Sequence, residues 1–261
     1  MARLFIFGLG YTAGRIAQAL RGAGWVVDAT GSSGNIPFAD EDAVRSAIAG
    51  ASHILSSVPP ADGSDPVIDK YGEQLGGKWL GYLSSTGVYG DVEGAWVDEA
   101  SPTGGGRRTA RAGCDARWME MGARVFRLPG IYGPGRSAFD RVREGKAHRI
   151  DLPGQVFSRV HVDDIVSGVV AAIESGAPSG GYNLSDDLPT SQNTVIEEAC
   201  RLLGVDPPPL KTIEEADLSA MARGFYAENR RVANIKAKRV LGWEPAYPTY
   251  REGLASIMAP A

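Results

Sequence analysis

An apolar run at residues 4–7 leads straight into Gly8-Leu9-Gly10-Tyr11-Thr12-Ala13. No other feature of the chain restricts the fold as much. Behind the glycines, Ala13, Ile16, Ala17 and Leu20 recur at helical spacing, and Gly22 and Gly24 supply the stop. A buried strand that turns this tightly into a helix opens a βαβ unit. Gly8 permits the turn, Gly10 lets the backbone approach a pyrophosphate, and Ala13 allows the helix to pack close to the strand. The first turn of that helix offers free N–H groups and a positive dipole end. Residues Gly8, Gly10, Tyr11, Thr12 and Ala13 are therefore the expected cradle of a dinucleotide.

The same alternation continues downstream. Strands are expected at 25–29, 53–58, 79–84 and 123–128, with helices at 40–49, 67–76 and 108–121. Helices of this length between strands imply a parallel sheet, so the fold class is α/β, a Rossmann-type doubly wound parallel sheet. After Pro129 the texture changes to Gly- and Pro-rich loops and short elements. A helix is expected at 162–175, a short strand at 182–184, and helices near 191–203, 214–222, 232–241 and 248–258. This pattern divides the chain into a main domain, 1–176, and a small, mostly helical C-terminal substrate lobe, 177–261. The 130–155 region contributes to the lobe, which crosses back into the main sheet at least once.

Composition narrows the partners. The 261 residues carry a net charge of -4, with no long Lys/Arg run, which argues against nucleic acid. Two cysteines, Cys114 and Cys200, lack metal-ligand spacing and suit a reducing, cytoplasmic setting. No signal peptide is read at the N-terminus, and no run of about 18 apolar residues marks a membrane span.

The tip of the second strand chooses between NAD and NADP, through a carboxylate for a ribose 2′-OH or an Arg for a 2′-phosphate. Thr30-Gly31-Ser32-Ser33 has neither. Its hydroxyls leave room for a phosphate, which favours NADP. Asp28 is the rival and would favour NAD, although its place between Val27 and Ala29 puts it before the tip.

Four further segments carry a resemblance. Ser84-Ser85-Thr86-Gly87-Val88-Tyr89-Gly90, Arg127-Leu128-Pro129-Gly130-Ile131-Tyr132-Gly133-Pro134-Gly135-Arg136, His161-Val162-Asp163-Asp164 and Tyr182-Asn183-Leu184 follow the glycine turn in order. Together they resemble the extended short-chain dehydrogenases/reductases. The loop at Val58-Pro59-Pro60, Gly94 to Glu99 and Leu241-Gly242-Trp243 resemble an atypical subgroup of the NAD-dependent epimerase/dehydratase family. The resemblance implies that Ser85, with Thr86 beside it, hydrogen-bonds the reacting oxygen of a substrate. It implies that Ser57, Val58, Pro129 and Ile131 border the cofactor and that Tyr132 and Arg136 face the substrate. It makes His161 mostly structural, with Asp163 or Asp164 capping the following helix. It also leaves open a homodimer through the 108–121 helix.

One expected pair is missing. The family displays a Tyr and, four residues later, a Lys, where this chain has Arg107 and Arg111. No Tyr lies between Tyr89 and Tyr132, so no change of register restores one. An arginine does not exchange a proton near neutrality. Arg111 can still supply the positive charge of the Lys, and Asp115 keeps the family's acidic position on the same helix face. Three readings follow: an NAD(P)-dependent oxidoreductase or epimerase with a different acid (Tyr82, Tyr89, Tyr132 or a water held by Ser85), a non-catalytic dinucleotide-binding sensor or scaffold, or an enzyme using the fold for another ligand. The substrate, a small molecule such as a sugar nucleotide or carbonyl compound, is not specified by these residues.

Overall fold

A computed structural model of the chain describes residues 1–106 and 109–258. The first third runs β1 (Arg3–Phe7), α1 (Tyr11–Gly22), β2 (Val26–Ala29), α2 (Glu41–Gly50), β3 (His53–Ser56), α3 (Pro66–Tyr71) and β4 (Trp79–Ser85). A two-residue strand, β5 (Trp96–Val97), precedes α4 (Thr109–Glu120) and β6 (Arg124–Leu128). The crossover that follows contains β7 (Gly130–Tyr132), α5 (Ala138–Arg143), β8 (Arg149–Ile150) and β9 (Arg159–His161). Next come α6 (Val162–Glu174), β10 (Gly180–Asn183), α7 (Gln192–Leu203), β11 (Leu210–Lys211) and α8 (Ala220–Tyr226). The described chain finishes with β12 (Arg231–Val232), α9 (Ile235–Leu241) and α10 (Tyr250–Met258).

Six strands form one parallel sheet in the order β10-β6-β4-β3-β1-β2. Side chains alternate across it, as the two-residue period of a strand requires. Leu4 and Ile6 of β1 join Ile16 and Leu20 of α1 and Ile165 and Val169 of α6 on one face. Phe5 and Phe7 join Val44, Ile48, Val67, Tyr71 and Trp118 on the other. The strand order reverses between β1 and β3, and a ligand crevice opens beyond the carboxyl ends of strands at such a point. The expected α/β doubly wound sheet is thus the observed fold.

Beyond the sheet, α5, α7 and α10 enclose a separate core of Phe139, Val195, Ile196, Tyr250 and Leu254. Not all of 177–261 belongs to that lobe. β10 is the sixth strand of the main sheet, and Ala237, Leu241 and Trp243 around α9 lie in the main core. Residue 176 therefore precedes the chain's return into the sheet.

Local chemistry shifts several boundaries. The helix expected at 214–222 begins only at Ala220, where the Ser219 hydroxyl accepts from the Ala222 N–H at 3.2 Å. Thr212 and Glu215 bond each other's backbone N–H upstream as at a helix start, but Asp217 at φ 43° ends that single turn, so 213–217 does not propagate a helix. The helix expected at 67–76 gives way after Tyr71 to a single tighter turn over Gly72–Gln74. The strand expected to reach residue 58 stops at Ser56.

Candidate active site

The glycine turn is held by hydrogen bonds that leave its outer side open. Gly8 has φ 85°, and a Cβ there would fall 3.0 Å from Ser57 Oγ and 3.1 Å from Val58 Cγ2. The Gly8 N–H donates to Thr30 Oγ1 at 3.1 Å, the Leu9 N–H donates to the Thr30 carbonyl at 2.7 Å, and the Ser57 hydroxyl donates to the Gly8 carbonyl. Gly10 stands at the N-cap of α1 with no side-chain cap, and a Cβ there would meet nothing within 4 Å. The first turn of α1 thus presents unsatisfied N–H groups to open space, which fits a pyrophosphate.

That open space is one end of a cleft of about 1030 Å³ running past the end of β4 into the lobe. Of the residues expected at the site, Gly10, Tyr11, Thr12, Ala13, Ser57, Ser85, Thr86, Arg111, Pro129, Ile131, Tyr132 and Arg136 line it together. Five others stand elsewhere. Gly8, Thr30 and Val58 build the turn instead of lining the cleft, and Thr30 is buried with its hydroxyl engaged by Gly8. Ser32 and Ser33 are exposed at the strand tip, which packs on the turn because Gly31, at φ 109°, has no side chain to strike Leu9 N. Asp28 is held away from the tip, accepting from Asn35 Nδ2 at 2.9 Å and facing Arg3 at 3.4 Å.

In the middle of the cleft, Ser85 Oγ accepts from the Gly87 N–H at 3.1 Å, which leaves its own O–H to donate. Arg111 reaches the cleft with its Nη1 donating to the Tyr82 hydroxyl at 2.9 Å. Tyr82 in turn stacks on Trp118 at 5.4 Å and 13°, and Trp118 Nε1 donates to Asp65 at 2.8 Å. Arg107 lies outside the described residues. Beneath this surface, Ser84 and Arg127 both donate to the Asp115 carboxylate, Arg127 through two nitrogens at 3.1 and 2.8 Å. Arg127 also donates to the Tyr89 hydroxyl, which donates to Asn183 Oδ1 at 2.7 Å.

None of the three tyrosines weighed as replacement acids is free. Burial raises the pKa of Tyr82, Tyr89 and Tyr132 above the usual phenol value. Tyr82 and Tyr89 are already engaged as described, and Tyr132 turns its hydroxyl away. Its ring borders the cleft, while the oxygen is buried without a partner in the space that Gly253 of α10 leaves by lacking a side chain. Tyr132 thus lines the cleft, as expected, through its ring and not its hydroxyl. Arg136 stays exposed over the Tyr11 ring, and the Tyr11 hydroxyl donates to the Pro134 carbonyl at 3.0 Å, tying this loop to α1.

His161 caps α6 itself, its Nδ1 accepting from the Asp163 N–H at 3.3 Å, and burial lowers its pKa so that the ring stays neutral. Neither aspartate does the capping. Asp163 pairs with Arg15 at 2.8 Å, and Asp164 is buried and accepts from the Ala246 and Tyr247 N–H groups. The segment after Trp243 needed those acceptors, a demand that local spacing around Asp164 does not reveal.

Sequence reasoning missed the far wall of the cleft, formed by Phe157, Arg159, His148, Tyr226 and Arg230. Its one legible signal was the alternation Phe157-Ser158-Arg159-Val160-His161, which places residues 157, 159 and 161 on one side of an extended segment.

No family model matches the chain. A functionally unknown conserved protein from Silicibacter pomeroyi DSS is 38% identical, with 98% of both chains covered and a TM-score of 0.86. The chain belongs to the same family. A 3-diazoavenalumate denitrifying reductase from a Streptomyces sp is 33% identical over 174 residues, which are 61% of this chain and 55% of that protein. The match thus spans little more than half the length of that curated relative. A dTDP-glucose 4,6-dehydratase from Bacillus anthracis, solved in complex with NAD, is 16% identical over 98% of this chain and 95% of its own, with a TM-score of 0.79. The fold is therefore that of the NAD-dependent epimerases and dehydratases, as the resemblance to extended short-chain dehydrogenases/reductases implies.

Proposed function

We propose that the chain is a nicotinamide-dependent oxidoreductase that reduces a small polar substrate. One observation carries this reading: a single cleft joins the open glycine turn to Ser85, Thr86 and Arg111 and continues into the lobe, with room for a second molecule. A protein that only senses a dinucleotide has no use for that continuation. The reductase activity of the curated relative agrees with it.

A bound dinucleotide would supply the hydride. Gly10 and the first turn of α1 would hold its pyrophosphate, and Ser57, Pro129 and Ile131 would border it. The Ser85 O–H, together with Arg111 held by Tyr82, would face the substrate atom on which negative charge collects. Fixed donors of this kind stabilise such charge without reorganising as it forms. Arg111 keeps its proton, so the proton that completes the reduction comes from water in the cleft. The exposed Ser32 and Ser33 and the engaged Asp28 favour NADP over NAD.

The second reading, a non-catalytic dinucleotide sensor, draws on the engaged or buried state of Tyr82, Tyr89 and Tyr132. The two readings separate in one assay. Oxidation of NADPH and NADH is followed by absorbance over a panel of aldehydes, ketones, diazo compounds and sugar nucleotides, with thermal stability recorded in parallel. The proposal expects turnover with at least one class. Saturable dinucleotide binding with silence across the panel would establish the sensor, and no stabilisation by either dinucleotide would refute both.

A further inference from the structure

Among the described residues, Arg159 is a buried positive charge in the wall of the cleft that forms no ion pair. Arg159 is only 6% exposed and lines the cleft from β9. Its Nη2 donates to the Thr190 carbonyl at 3.3 Å, and its Nη1 has no partner. Among the described residues, no carboxylate oxygen lies within ion-pair distance of it. The other cleft arginines differ in this respect. Arg111 donates to Tyr82, Arg230 donates to the Gly90 carbonyl and to Glu228, and Arg136 and Arg141 are exposed to water.

Asp186 supplies the neighbouring negative charge without discharging Arg159. Both of its oxygens are buried without a partner in good hydrogen-bond geometry, the Leu188 and Arg159 backbone N–H groups lying close by, and burial lifts its pKa to about 7. A guanidinium taken out of water costs several kcal/mol unless an anion meets it in good geometry. The cleft is the side from which such an anion can arrive.

The surroundings add a shape. Phe157 exchanges backbone hydrogen bonds with Thr190, the residue that Arg159 holds by its side chain, and both Phe157 and Arg159 line the cleft. The Phe157 ring meets Tyr226 edge to face at 5.4 Å, and both line the cleft. Aromatic walls of this kind accept a flat apolar group.

We propose that Arg159 anchors a substrate oxyanion, a carboxylate or phosphate, with Phe157 and Tyr226 flanking the flat skeleton that bears it. This rests on the reductase reading, because it assigns the lobe end of the same cleft to the substrate. The anion supplies the partner that the buried Nη1 lacks, and a planar oxyanion matches the guanidinium fork.

The test uses the full chain with saturating NADP⁺ and three probes of similar shape: cinnamate, cinnamamide and phenyl phosphate. Affinity is read by intrinsic fluorescence and calorimetry. At least one of the two anions should bind roughly tenfold or more tighter than cinnamamide, and the tighter one names the source of the oxyanion. R159Q should abolish that preference, and R159K should retain part of it. Dinucleotide affinity should be unchanged in both variants. Equal binding of the anions and the amide, no binding of either anion at millimolar concentration, or a preference that survives in R159Q would each overturn the anchor. The wild-type comparison stands even where a variant fails to fold. Failure of NADP⁺ and NADPH to bind would instead refute the reductase reading, so the two failures are distinguishable.

Discussion

The two sides of the cleft are finished differently. Beneath the end of β4, the polar groups are matched: Ser84, Asp115, Arg127, Tyr89 and Asn183 form one continuous set of hydrogen bonds. Where β7 and β9 meet the lobe, matching stops. Seven buried side-chain polar atoms lack a partner among the described residues, and five of them belong to Tyr132, Arg159, His161 and Asp186. A buried polar network is stabilising only when its members are satisfied. One side is thus a completed support for the central donors, while the other retains unsatisfied hydrogen-bonding capacity.

The largest effect should come from breaking the completed side. Asp115→Ala leaves Arg127 buried without its bidentate partner and should cost ~3–5 kcal/mol in denaturant unfolding. A loss under about 1 kcal/mol would mean the network is not the support described here.

The open side should respond in the opposite sense. The folded pKa of Asp186, about 7, stands above the unfolded carboxylate value. Its contribution is therefore most favourable below the unfolded pKa and is lost as pH rises through about 7. Asp186→Asn should flatten that slope and stabilise the protein at pH ~8 by ~2–4 kcal/mol. Melting curves from pH ~4 to ~8 decide the matter, and an unchanged slope in the variant would show Asp186 to be ordinarily solvated.

A third change sharpens the comparison within the cofactor end. Gly10→Ala places a Cβ where nothing lies within 4 Å, so the melting temperature without ligand should change little. Dinucleotide affinity should nevertheless fall by roughly tenfold or more, because the added carbon occupies the phosphate space. Unaltered affinity would move the pyrophosphate elsewhere. The smallest effect is expected at the strand tip, where Ser32→Asp should shift the preference from NADP toward NAD by roughly tenfold or less through exposed-charge repulsion. Equal affinities before and after would place the 2′ position away from Ser32.

Much of the fold was legible because burial on both faces writes parallel strands as short apolar runs. Residues 4–7, 53–56 and 79–85 show this clearly. The α8 boundary was not legible, since Thr212, Glu214, Glu215 and Ala216 favour a helix that the positive φ of Asp217 ends after one turn. At the site, the glycine turn, Ser85 and Arg111 could be placed because each sits where a strand ends or a helix begins. Arg159 could not, because an arginine before Val160 and His161 has the composition of a solvated strand end until the Thr190 loop closes over it.

Local sequence alone determined the βαβ opening, the open Gly10 position and the absence of a phenol between Tyr89 and Tyr132, since each depends on residues near one another in the chain. Tertiary structure decided which polar groups are engaged. Gly253 gives the Tyr132 hydroxyl its resting place from more than a hundred residues away. Asp164 serves Ala246 and Tyr247 rather than its own helix, and the Arg159 Nη1 is left without a hydrogen-bond partner. Hydrogen-bond satisfaction in a buried site is a property of the assembled chain, because the partners come from elements that sequence spacing does not bring together.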